Sequence, residues 1–156
     1  MKQDKRFDEI ENLMKPGVIT VSGFLGNDRR RLQDIIESDG ISVTMLGLTH
    51  GGIAARMQEF REAGGRGMGY SGVEYQNHFT VETDAAMGRI SCPFRHAGRY
   101  PKVVTRVINK RLNRSIEFSD LTIHMIEHHG FYGGKGSVYR CDPEDIAVIL
   151  ELHDRT

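Results

Sequence analysis

The chain carries no net charge: 21 Lys and Arg balance 21 Asp and Glu among 156 residues. As a whole it has no field that would draw it to nucleic acid or to an anionic membrane. It also lacks long apolar runs, and none approaches the roughly 20 residues that span a bilayer. Residues 1–14 are charged throughout and do not read as a secretory leader. Cysteine is scarce, with only Cys92 and Cys141, in different segments. These absences point to the cytoplasm, where a structural disulfide would be unusual and both thiols stay reduced. By default each cysteine is a small buried residue.

What is present suffices for a folded domain. Apolar residues make up 38%, well above the range of disordered chains. The length suits one domain over residues 1–156 with a single core. Eighteen glycines are many, and they gather in residues 64–72 and 130–136. Such clustering marks specific loops.

Periodicity places the elements. Residues 4–14 read as an amphipathic helix with Phe7, Ile10, Leu13 and Met14 on one side, stopped by Lys15-Pro16-Gly17. Residues 18–25 open β-branched and read as a strand. Asn27 or Asp28 caps a helix to about Ser38, with Gly40 as its stop. Residues 41–48 are apolar and carry no period. Thr49 caps a helix in which Ile53, Met57 and Phe60 recur, ending at Gly64-Gly65. Residues 47–57 look like the first half of a helix-turn-helix, but no recognition helix follows.

The pattern then changes. Val73, Tyr75, Phe79 and Val81 alternate with polar residues, which is a strand with one wet face. Residues 89–92 read as its partner, and 103–108 and 115–118 form a hairpin about 110–114. Ser119 or Asp120 caps a short helix over 121–129, stopped by Gly130. Residues 143–152 open with Pro-Glu-Asp, which suits a first helical turn, although 146–150 would also fit a strand. The fold class is α+β: N-terminal helices on an antiparallel sheet of about four to five strands, with a short histidine helix and a glycine loop near the C-terminus.

The histidine helix is the first candidate site. On a helical wheel Leu121, Ile123, Met125 and Ile126 fall on one side, and His124, Glu127 and His128 on the rest. His124 and His128 are four apart, the spacing by which one helix offers two imidazoles to one ion. Two are rarely enough, so further ligands must come from elsewhere. Cys92 and His96 in Cys-Pro-Phe-Arg-His are the best donors, with His78 as another. The string His124-Met125-Ile126-Glu127-His128 resembles the inverzincin metallopeptidases, in which such histidines bind zinc and the glutamate activates water. The resemblance covers five residues and assigns no downstream glutamate ligand, so peptidase activity is not carried over. The alternative is an ordinary solvated helix face.

Residues 129–137 offer a second site. Backbone amides about Gly134, Gly136 and Ser137 can form an anion nest, with Lys135 adding charge. It is not a P-loop, because Gly136 separates Lys135 from Ser137. The alternative is a long turn whose Phe131 and Tyr132 close the core. Residues 64–70 resemble G-x-G-x-x-G but follow a helix, which excludes a dinucleotide loop. A third feature is charge: residues 85–116 hold no acid and eight bases, Arg89, Arg95, Arg99, Lys102, Arg106, Lys110, Arg111 and Arg114. On one sheet face, Arg99 and Arg106 among them, these would contact phosphates. The alternative is a charged face paired with acids from the chain ends.

Three functional expectations follow. The first is a small metal-binding protein, with a divalent ion such as zinc on His124, His128, Cys92 and His96. As a hydrolase or lyase on an anionic substrate, it would use Glu127 as general base and Lys135 to hold the substrate's charge. The second is a non-catalytic module holding nucleic acid or a phosphorylated ligand on the basic stretch. The third is an assembly protein with both clusters at a homo-oligomer interface.

Overall fold

The computed structural model describes residues 3–65, 72–95 and 97–152. It holds five helices and four strands: α1 (Lys5–Leu13), α2 (Leu32–Met45), α3 (His50–Ala63), β1 (Val73–Tyr75), β2 (Phe79–Ser91), β3 (Arg99–Asn109), β4 (Arg114–Ser119), α4 (Asp120–His129) and α5 (Pro143–Ile149). The strands form one antiparallel meander in the order β1-β2-β3-β4. The fold is α+β. Among the described residues, no helix is long and apolar enough to cross a membrane.

Buried side chains fall into two clusters. The larger joins α3 (Ile53, Met57, Phe60) to the sheet (Phe79, Val81, Val107, Phe118), to α4 (Ile123, Ile126) and to α5 (Ile146, Ile149). The smaller joins α1 (Ile10, Met14) and α2 (Leu32, Ile35) to Cys92, Phe94, Leu121, Met125 and Phe131. Helix α4 contributes to both, so it is buried continuously from Leu121 to Ile126. Each large apolar side chain withdrawn from water contributes about 1.5–3 kcal/mol, which makes α4 the element both halves of the core depend on.

Four expectations change. Residues 18–25 form no strand; Val18 and Val21 are exposed, and the segment is a series of turns closed by Phe24 N–H donating to the Met14 carbonyl at 2.9 Å. Helix α2 begins at Leu32 and runs through Gly40 to Met45, taking in most of the unassigned stretch. Its buried stripe is Leu32, Ile35, Asp39 and Val43, and the charged member interrupts the apolar period. The alternating run at 73–82 is two strands. Gln76 and Asn77 take positive φ (46° and 69°) in a tight turn, and Tyr75 pairs with Phe79. The paired Tyr75 and Phe79 are four positions apart, so the alternation passes through the turn unbroken. Residues 89–92 do not form a separate strand: 89–91 continue β2 past an irregularity at Ala86/Arg89. Residues 143–149 are helical, with Asp142 capping Glu144 N–H and Pro143 in the first turn. The glycine segment at 66–71 lies outside the described residues, as does His96.

Candidate metal centre

Helix α4 is firmly bounded. The Ser119 hydroxyl accepts from Thr122 N–H at 3.0 Å, and the Thr122 hydroxyl accepts from Ser119 N–H at 3.3 Å, a reciprocal cap. Gly130 ends the helix in the left-handed conformation (φ 60°), and a side chain there would run into the His50 ring. His129 is thereby the last helical residue.

Phe94, after β2, and Tyr100, at the start of β3, pack against two histidines of this helix. Phe94 stacks on His129, with centroids 4.2 Å apart and planes 5° from parallel. Tyr100 stacks on His124 at 4.3 Å, and its hydroxyl oxygen lies 2.8 Å from His124 Nδ1. Burial pushes the Tyr100 phenol above its ordinary pKa, with the charges of Cys92 and Glu127 adding to the effect. The two imidazoles meet edge to face at 5.2 Å. Cys92 follows β2 and is buried. One ligand atom each from Cys92, His124 and His129 lie within 4.8 Å of one another, and these three can hold a metal ion. Tetrahedral ligands at zinc bond lengths sit roughly 3.3–3.8 Å apart, so closure needs a contraction of about 1 Å or a little more.

The structure thus brings Cys92 and His124 together with His129, and His128 lies outside that group of three. The His128 side chain is 52% exposed, with Nε2 3.9 Å from a Glu127 carboxylate oxygen. Its ring is 4.8 Å from that of His124 and 6.4 Å from that of His129. The helical wheel groups His124 with the solvated arc. The two-sided burial of α4 makes it a core residue instead, 6% exposed. His129 was missed because a spacing of five is not a shared helix face.

The glycine loop is engaged by the chain itself. Gly134 N–H donates to the Phe24 carbonyl at 2.9 Å, and the Lys135 carbonyl accepts from Asn27 N–H at 3.0 Å. Gly134 lies so close to the Leu25 backbone that any side chain would collide with it. Lys135 N–H donates to the Asp28 carboxylate at 3.1 Å. Arg30 grips the same carboxylate through two side-chain bonds of 2.9 and 2.7 Å and holds its pKa well below the usual range. Asp28 therefore stands where the sequence allowed a bound anion. Ser137 N–H turns back to the Gly134 carbonyl, and Gly136 abuts the Asn27 side chain.

Beside the loop, Arg140 forks onto Asp39 at 2.6 and 2.9 Å and reaches the Gly133 carbonyl at 2.8 Å. Tyr132 is fully buried, with its hydroxyl 2.7 Å from His50 Nδ1. Burial raises the pKa of Tyr132 and lowers that of His50. Cys141 is remote in role: buried, its thiol donates to the Glu117 carbonyl at 3.2 Å, and its pKa is pushed up to about 12.

The basic stretch meets acids from other elements. Arg95 pairs with Glu9 at 2.7 Å, Lys110 with Glu74 at 2.5 Å, Arg111 with Glu151 at 3.7 Å and Arg114 with Asp145 at 2.9 Å. Arg106 lies 3.5 Å from Glu82 and 3.8 Å from Glu117. Arg99 is exposed at the start of β3, and its carbonyl accepts from Arg89 at 3.4 Å. His78 pairs with Glu151 at 2.6 Å, away from the histidines of α4 in role.

Compared with protein families, with curated proteins and with solved structures, the chain finds no match.

Proposed function

We propose that this chain binds one divalent metal ion, zinc, through Cys92, His124 and His129. The convergence of three donors from two separate segments carries the reading. One thiolate with two imidazoles is a donor set suited to zinc. Tyr100 supports it from behind: with the hydroxyl oxygen accepting Nδ1–H, the tautomer is set and Nε2 becomes the coordinating nitrogen of His124. Stacking by Phe94 fixes the plane of His129 in the same way.

A zinc ion with three protein ligands keeps a fourth position for water and lowers its pKa, the arrangement of catalytic sites. The reading therefore extends to a hydrolase or lyase acting on an anionic substrate. Glu127, half-exposed on α4, is its candidate base, and Lys135, exposed on the adjoining loop, its candidate substrate contact. No comparable convergence supports a nucleic-acid reading, because much of the basic stretch faces carboxylates at ion-pair distance.

Elemental analysis of protein purified without chelator, followed by Co(II) titration of the stripped protein, tests the metal reading. The expected result is one metal per chain and a thiolate-to-cobalt absorption band that disappears in Cys92→Ser. Protein that retains no metal and gives no such band overturns it.

A further inference from the structure

A cavity of about 410 Å³ opens on the side of the sheet where β4 has ended. Its floor is apolar and fully assembled: Val103, Leu121, Met125, Phe131 and Tyr132 are all buried. Its rim is formed by the turns at 20–24 and 137–139 and by the ends of β2 and β3. Val21 and Val138 are exposed there, 90% and 65%. Asp84 and Lys102 bring opposite charges to the lining, so it favours no ion. Ser22, Thr20 and Tyr139 add hydroxyls.

Each feature limits the occupant. The volume lies near the low end of the ~300–1,000 Å³ typical of small-molecule sites. It cannot admit a helix, whose diameter with side chains is about 10–12 Å. Apolar walls with a few hydroxyls match the usual lining of such sites, in which one or two polar groups orient a mostly apolar ligand. The geometry points to a binding site for a small uncharged apolar molecule, an aromatic ring or short acyl chain with one hydrogen-bonding end. The site goes beyond the metal reading and stands without it, since none of Cys92, His124 or His129 lines the cavity.

The uncharged dye N-phenyl-1-naphthylamine serves as probe, titrated by fluorescence against the full chain. The expected result is saturable binding at one dye per chain with blue-shifted emission, competed by decanol. Ala86→Trp sets a bulky ring at the opening from an exposed strand position, so the fold persists, as thermal melting checks. It should weaken binding by about tenfold or more, a change readily resolved in a titration. Val138→Asp, at the opposite rim, should do the same. Absence of saturable binding to the wild type overturns the inference, as does affinity unchanged in both variants. Light scattering that shows a dimer which Val21→Asp dissociates, together with no dye binding, would assign the rim to a second copy and also overturn it.

Discussion

Two adjoining segments, the histidine end of α4 and the glycine loop after it, are both unusual in composition. They differ in where their partners come from. The loop is closed by the chain around it: Asp28 takes Lys135 N–H, Phe24 takes Gly134 N–H, and Arg140 ties Gly133 to Asp39. The histidines instead converge with a cysteine from across the fold, giving a donor set that suits an ion. A glycine-rich loop with a lysine is therefore weak evidence for a ligand, because backbone amides are satisfied as readily by a neighbouring loop as by a phosphate. A thiol and two imidazoles within 4.8 Å of one another make a donor set that a metal ion can use, whereas the loop's amides are already taken.

If the loop is structural, breaking its ties should unfold the protein rather than alter binding. The largest effect belongs to Arg140→Ala. Both members of this pair are nearly enclosed, with side chains 12% and 6% exposed. Truncation leaves Asp39 charged and buried without its fork, a loss of about 3–5 kcal/mol. Urea denaturation measures it, and Co(II) affinity of the folded fraction should stay unchanged. A normal midpoint with weakened metal binding would reverse the roles assigned to the two segments.

A smaller effect is expected at Asp28→Asn, about 1–2 kcal/mol for weakened charge-assisted bonds. Its pH dependence has a definite sign. The folded carboxyl lies below its ordinary value of 3.8, so its contribution is fully present above that pH. It is lost as pH falls through 3.8 toward the folded value. Wild type and Asp28→Asn should therefore differ at neutral pH and converge in acid. A gap that widens in acid would contradict the assignment of Asp28 as the ion filling the loop.

The fold was legible where one face of an element is buried and the other wet. Residues 4–14, 49–63 and 103–118 gave their elements from periodicity alone. It was hidden in α2, where Gly40 reads as a stop yet lies inside the helix, and where Asp39 sits in the buried stripe with its partner Arg140 101 residues away. It was hidden again at Gln76-Asn77, where a tight turn preserved the alternation. At the site, the sequence offers Cys92, His96, His124 and His128 as candidate donors, and the group that converges among the described residues is Cys92, His124 and His129. A helical wheel assumes one wet side, and α4 has a core cluster on each flank.

That choice between neighbours yields the last and smallest test. His128→Ala and His129→Ala remove the same chemical group one residue apart. His128 is half-exposed, and its removal should change stability by no more than about 0.5 kcal/mol, the range of ordinary surface substitutions. It should also leave the metal content at one per chain. His129→Ala removes a donor and the ring that Phe94 stacks on, and should abolish stoichiometric metal. Helical spacing alone, which pairs His124 with His128, requires the opposite ranking. Metal content of the two variants therefore decides whether the i,i+4 face or the group of Cys92, His124 and His129 is the candidate donor set.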